Sequence, residues 1–346
     1  MIRLLSPYVV IWPGLLVLTC LVSLKTGVTG ASWADVLNSL SGDPSEQGHI
    51  IATYRLPRVI AGVIVGIHFA LAGIIMQVVL RNPLADPTIF GISSGASLAV
   101  VCAMSVSIAL FQADGALSVS TDYLPLIWIP YIAFAGAVCA TVLVLLLALD
   151  RRTGLSFSPG KMVLSGIILG AMLNALVMVL VLSLSEARTE LAILWLSGTL
   201  YARGLSHVWP IIPWTLAGLA GLLVLGGALN LLRCDPQTAQ SLGVSLKWER
   251  LGLILVALLL AASAVSVSGP IGFVGLLVPH FARLFVPHSF SRQIWVAVYA
   301  GAILVVASDT AGRMIAVPIE VPVGVITGLI GAPAFAFLIR RQTKVS

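Results

Sequence analysis

The chain has 346 residues, of which 59% are hydrophobic and only 9% charged, with a formal net charge of +6. A soluble domain carries about 25% charged residues, so this composition excludes a globular protein covered by polar groups. The basic residues are scattered, not clustered, which excludes nucleic acid as a partner.

Ten apolar runs are predicted to span a bilayer. They cover residues 8–24, 58–80, 91–111, 126–149, 162–184, 206–230, 248–267, 271–285, 293–313 and 323–339. Arg3 and the run from Tyr8 to Leu24 have the outline of a signal peptide. The run is long for one and no small-residue cleavage site follows, so it is read as a retained first span. The run at 271–285 is short: it crosses only as a tilted or protein-surrounded helix, or it is re-entrant. Residues 188–204 are predicted as a short amphipathic helix at one membrane face. The longest polar gap, about residues 25–55, leaves no room for a soluble domain, so residues 1–346 are expected to form one all-α transmembrane domain.

Ten spans put both termini on one side. Of the 19 lysines and arginines, six (Lys25, Arg55, Arg58, Arg188, Arg203 and Arg313) fall on the side opposite the termini, and thirteen on the same side. The positive-inside bias therefore places both termini in the cytosol. It also makes Arg55, Arg58 and Arg313 conspicuous, since they occupy the face that usually lacks basic residues. Docking of an acidic partner and anchoring in lipid headgroups both account for them.

Residues 55–95 hold Arg-Leu-Pro-Arg at 55–58, a long apolar run, an Asn-Pro-Leu-Ala break at 82–85 and a Gly/Ser-rich restart. This is the pattern of a membrane hairpin. Small residues recur at four-residue spacing in Gly62/Gly66, Gly166/Gly170 and Gly324/Gly328, which lets helix backbones approach closely in lipid. Cys20, Cys102, Cys139 and Cys234 lack disulfide or metal spacing. Gly91-Ile-Ser-Ser-Gly95 matches a nucleophile elbow, but that motif requires a preceding strand, and here it opens an apolar helix. Gly154–Lys161 resembles a phosphate loop with one residue too many and Met162 in place of the magnesium-binding hydroxyl. ATP hydrolysis is therefore expected on another chain.

In Arg233–Arg250, Asp235 and Pro236 start a short helix and Gly243 stops it. Ser268–Leu284 is Gly/Pro-punctuated and ends in His280 and Arg283; His280 and His288 are too few for a metal site. His68 lies midway along the second span, where a hydrogen-bonded packing role and a transport role are both open. Asp309 precedes Arg313 by four residues, so the two meet on one helix face and Asp309 positions Arg313.

These residues resemble the permease subunits of bacterial ABC importers for iron chelates, haem and vitamin B12, the FecCD family, over nearly the whole chain. The resemblance implies a type II ABC importer permease fold of about ten helices. It implies a dimer with a second, identical or homologous permease, two ATP-binding-cassette ATPases, and a periplasmic substrate-binding protein. Arg55, Arg58 and Arg313 would dock the binding protein. Asp235, Thr238, Ala239, Leu242 and Gly243 would form the coupling helix for the ATPase, and Asn82, Leu84 and Ser158 a cytosolic gate. Neither a metal nor any other cofactor is implied.

The expected function is thus a passive half of a translocation path in a bacterial inner membrane. An iron–siderophore complex is the first substrate expected, then haem and cobalamin. An ion-driven secondary transporter would want intramembrane acids at broken helices, and the acids here lie mostly at span ends. A membrane-embedded enzyme would want a cluster of His, Asp or Cys at membrane depth, which the sequence does not show.

Overall fold

The computed structural model describes residues 8–27, 30–40, 45–113, 128–150, 156–157, 159–243 and 245–342. Among these, apolar helices occupy all ten predicted spans. They are α1 (Tyr8–Lys25), α4 (Leu56–Val79), α5 (Ile92–Ala113), α6 (Ile129–Ala148), α7 (Pro159–Leu182), α10 (Ile212–Leu231), α12 (Leu246–Ser268), α13 (Val274–Phe285), α14 (Phe290–Ile315) and α15 (Val323–Gln342). Short helices fill connections: α2 (Trp33–Leu40), α3 (Glu46–Ile50), α8 (Glu186–Leu196), α9 (Leu205–Val208) and α11 (Pro236–Ser241). The one pair of strands described, β1 (Leu149–Asp150) and β2 (Ser156–Phe157), is an antiparallel ribbon before α7. The protein is an all-α, multi-pass membrane protein.

The second span begins earlier than its hydropathy suggests. Ser45 caps α3 by accepting from the Gly48 N–H at 3.0 Å. The helix then passes through a π-helical turn at Ile51–Arg55 and continues as α4. Pro57 has no N–H to give to the carbonyl one turn back, and the widened turn sits directly before it.

The centre of the bundle is α4, enclosed by α12, α13 and α14. Close approach requires glycine at two points. A Cβ on Gly66 would strike the backbone of Gly301 on α14, and one on Gly73 the backbone of Gly275 on α13. Helix α13 has 12 residues, about 18 Å against a hydrocarbon core of about 30 Å. Val274 to His280 on it are all buried, so it is the protein-surrounded alternative of the sequence reading. By contrast α7 and α10 leave most of their apolar surface outside the chain.

The segment 188–204 corrects the expectation of a single surface helix. Helix α8 stops at Leu196, and Gly198 (φ +73°) and Ala202 (φ +54°) take left-handed conformations that end helical winding. The chain turns inward: Thr199 N–H donates to Ser268 O at 2.7 Å, Gly324 N–H donates to Gly198 O at 3.0 Å, and Leu200 is fully buried.

Candidate functional site

Both ends of α4 carry arginine, and each end is a distinct site. At the first, Arg58 meets Asp309 of α14 side-on. Its Nε lies 3.0 Å from each carboxylate oxygen and its Nη2 2.8 Å from Oδ1. The same Nη2 is 2.8 Å from Glu320 Oε2 in the loop after α14. Asp309 also lies 3.3 Å from Nε of Arg313, one helical turn further on.

Arg313 and Arg55 both turn toward the end of α1. Arg313 donates to the carbonyls of Ser23 and Thr26 at 3.1 Å and to the Ser23 hydroxyl at 2.7 Å. Arg55 donates to the carbonyls of Leu24 and Lys25 at 2.8 and 3.0 Å. Two guanidinium groups thus serve the carbonyls that a helix C-terminus leaves without partners. All three predicted docking arginines are therefore buried or nearly so and bonded within the chain. They are not free surface charges.

A fourth arginine joins them. Arg203 is buried, and its Nε has no hydrogen-bond partner among the described residues. Burial and the nearby charge of Arg58 hold it down to about 10, so it remains cationic at neutral pH. Within this cluster, four arginines (Arg55, Arg58, Arg203, Arg313) against two acids (Asp309, Glu320) give a formal charge of 4 − 2 = +2.

At the other end, α4 closes with Arg81 in the left-handed conformation (φ +52°). Its N–H donates to Val78 O and the next N–H, of Asn82, to Gln77 O, both at 3.2 Å; this is the Schellman pattern of helix endings. The break that follows is a tight turn. Asn82 Oδ1 accepts from the Leu84 N–H at 2.9 Å, and Asn82 O from the Ala85 N–H at 3.1 Å. Asn82 and Leu84 are exposed; Asn82 lines an open groove of about 300 Å³ shared with the start of α7. Ser158 lies outside the described residues.

Asp86, next along, is buried. It caps the following 3₁₀ turn (Pro87–Phe90), accepting from the N–H and hydroxyl of Thr88 at 2.8 and 2.6 Å. Burial pushes its carboxyl above the ordinary range, and the Thr88 bonds offset this in part. Gly91 (φ +76°) then starts α5, and no strand precedes it among the described residues.

Helix α11 lies at this same end. Asp235 caps it through its carboxylate on the Gln237 N–H at 3.0 Å, and Gly243 (φ +88°) follows its end. Of the five residues singled out by sequence, Ala239 is the one anchored inside, at 0% exposed. Asp235, Thr238, Leu242 and Gly243 face outward, Leu242 at 59%.

Between the ends, His68 has both ring nitrogens bonded inside the chain, to Thr215 Oγ1 of α10 and Ser263 Oγ of α12, each at 2.8 Å. It joins three helices. Sequence reasoning missed Glu320, Arg203 and Arg81. The one local signal was for Arg81, a basic residue at a helix C-terminus directly before the turn.

The FecCD transport family model matches residues 15–341. The Fe(3+)-citrate import permease YfmE of Bacillus subtilis is 35% identical over 95% of this chain and 93% of its own. FecD, the Fe(3+) dicitrate permease of Escherichia coli, is 35% identical over 93% and 94%. FhuG of Bacillus subtilis, an iron(3+)-hydroxamate permease, is 32% identical over 94% of each. A solved metal-chelate-type ABC transporter in an inward-facing conformation superposes with a TM-score of 0.77 at 27% identity, covering 96% of this chain and 98% of that one.

Proposed function

The chain belongs to the FecCD transport family, and from that premise we propose that it is the permease of an ATP-driven importer carrying an iron(III) chelate through a bacterial inner membrane. The observation that carries this is the whole-length match to permeases named for iron(III) citrate and hydroxamates. The chain forms half of the path; a second permease, identical or homologous, covers apolar faces such as those of α7 and α10. Two ATPases complete the complex, one docking at α11 of each permease, with Asp235, Thr238, Leu242 and Gly243 in the joint and Ala239 fixing it to the bundle. Asn82 and Leu84, with Ser158, gate the cytosolic mouth. Both termini lie in the cytosol, and the arginine end faces the periplasm.

The binding protein docks over Arg55, Arg58 and Arg313. Because these side chains are bonded inward, they act through the surplus charge of their cluster. A field of this kind steers an acidic partner and sets its orientation more than it adds affinity.

Uptake of radiolabelled iron by proteoliposomes holding permease, ATPase and binding protein tests the reading. ATP-dependent uptake of ferric citrate or a ferric hydroxamate is expected. ATP-dependent uptake of haem or cobalamin alone would move the substrate class, and uptake driven by an ion gradient without ATP would overturn the importer.

A further inference from the structure

A groove of about 350 Å³ separates the end of α4 from the chain that leads out of α10 into α11. Gln77, Val78 and Arg81 line one side and residues 232–235 the other. One side chain crosses it with hydrogen bonds. Arg81 Nη2 donates to Cys234 O at 2.6 Å and to Leu232 O at 3.3 Å. Leu232 is the C-terminal cap that follows α10, and Cys234 immediately precedes Asp235, the cap of α11. In the other direction Arg81 is bonded through the backbone to Asn82, the first residue of the turn. A guanidinium therefore ties the base of the outward-facing helix to the turn 82–85.

Two further observations make this contact more than a helix cap. First, Arg81 occupies the left-handed position of a Schellman ending, where glycine fits without strain and other residues do not. The guanidinium is what arginine adds there, and strained backbone concentrates at functional positions. Second, the last turn of α4 is fastened on its far side. Gln77 Oε1 accepts from Arg283 of α13, and Gln77 Nε2 donates to the carbonyls of Gly275 and Leu276 at 3.4 and 3.3 Å. The end of α4 is a fixed point, and across the groove from it lies the chain that enters α11 at Asp235.

We propose that Arg81 is the strut that carries displacement of α11 to the turn Asn82–Leu84, so that ATPase movement opens and closes the cytosolic mouth. This rests on the importer reading above, and Arg81 is a positioning residue: it touches neither substrate nor nucleotide. The bonds are charge-assisted, strong enough to transmit a pull, yet both acceptors are backbone carbonyls, which makes the link independent of any side chain on α11.

The test uses the complete complex of permease, ATPase and binding protein in proteoliposomes. Chelate taken up per ATP hydrolysed is compared for wild type, Arg81→Gly and Arg81→Lys. Arg81→Gly removes the guanidinium and relieves the backbone, so folding is not put at risk. It is expected to co-purify with its ATPase and hydrolyse ATP at close to the wild-type rate, with uptake per ATP reduced at least tenfold. Arg81→Lys, which keeps one charged donor, should recover part of the ratio. An unchanged ratio in Arg81→Gly overturns the strut. Loss of ATPase co-purification also overturns it, since Arg81 would then only shape the docking helix. Failure of the wild type itself to couple uptake to ATP removes the importer reading, and the strut with it.

Discussion

Arg58 and Arg81 stand at opposite ends of one helical run, 23 residues apart and so about 35 Å by helical rise. Around Arg58 the partners are carboxylates, and the side chains are enclosed. Around Arg81 the partners are backbone carbonyls across an open groove, and what lies beyond is exposed. The first arrangement joins α4, α14 and, through Arg313, α1 around one buried carboxylate, Asp309, whose loss leaves two guanidinium groups without their shared counter-charge. The second can lengthen, since carbonyls and guanidinium find water when they part. The strut proposed above makes the first end the one that stays and the second the one that moves.

The largest expected effect breaks the fixed end. Asp309→Asn keeps the shape but removes the charge shared by Arg58 and Arg313. Removing one partner of a buried ion pair costs about 3–5 kcal/mol. Thermal unfolding of the purified protein in detergent should show a clearly lower midpoint, and one equal to wild type would mean that the ion-pair lattice does not hold the helices.

Next comes the moving end. Leu242→Asp changes an exposed side chain, so the chain alone should lose no more than about 0.5 kcal/mol. In the complex the same charge is forced into a packed joint, where burial without a partner is costly. The variant is expected to insert and unfold like wild type yet to lose at least about tenfold in ATPase co-purification, on the order of the 1.4 kcal/mol that a factor of ten requires. Undiminished co-purification would take α11 out of the joint.

The two ends were unequally legible in the sequence. Helix α11 could be read because its signals are local: Asp235-Pro236 at the start and Gly243 in a left-handed conformation just past the end. The spans were legible because hydropathy marks each apolar run, although it missed the earlier start of the second, at Glu46. The arginine end was half legible. Charge bias reports on which side of the membrane a residue lies, and it says nothing of what the residue bonds to. Arg58 and Asp309 are 251 positions apart and Arg81 and Leu232 151, so only the fold brings them together. The i, i+4 pairing of Asp309 with Arg313 was visible, but the stronger claim of Arg58 on the same carboxylate was not. The inward turn at 198–203 was hidden because Ala202, not glycine, takes one of its left-handed positions.

A smaller effect sharpens the contrast through charge alone. Glu320 is partly exposed, and Arg58 retains Asp309 without it. Glu320→Gln therefore raises the cluster from +2 to +3 at little structural cost. Association with an acidic binding protein should quicken roughly two- to threefold at low salt and converge on wild type once the Debye length falls to about 3 Å at 1 M. Stopped-flow or surface-plasmon rates on nanodisc-held permease would measure it. A rate indifferent to the substitution at every salt concentration would leave the cluster a structural role only.

The smallest effect concerns a buried acid at the moving end. Asp309 has arginines beside it, whereas the groups that act on Asp86 are the Thr88 hydroxyl and N–H. Burial raises its carboxyl above the ordinary value, and the Thr88 bonds only partly counter this. The folded state therefore holds this proton more tightly than the unfolded chain does. Between the unfolded and folded values, stability falls as pH rises, because the folded state binds more protons in that window. Asp86→Asn keeps an oxygen that can accept from both Thr88 donors, so the 3₁₀ turn stays capped, and it cannot ionise. The variant should match wild type below the ordinary carboxylate range and become the more stable of the two as pH rises through the window above it. Unfolding midpoints from about pH 4 to 8 would show the two curves separating with increasing pH. Curves that separate in the opposite sense would mean that the ionised carboxylate is stabilised in the fold, and that this end, too, is held by charge.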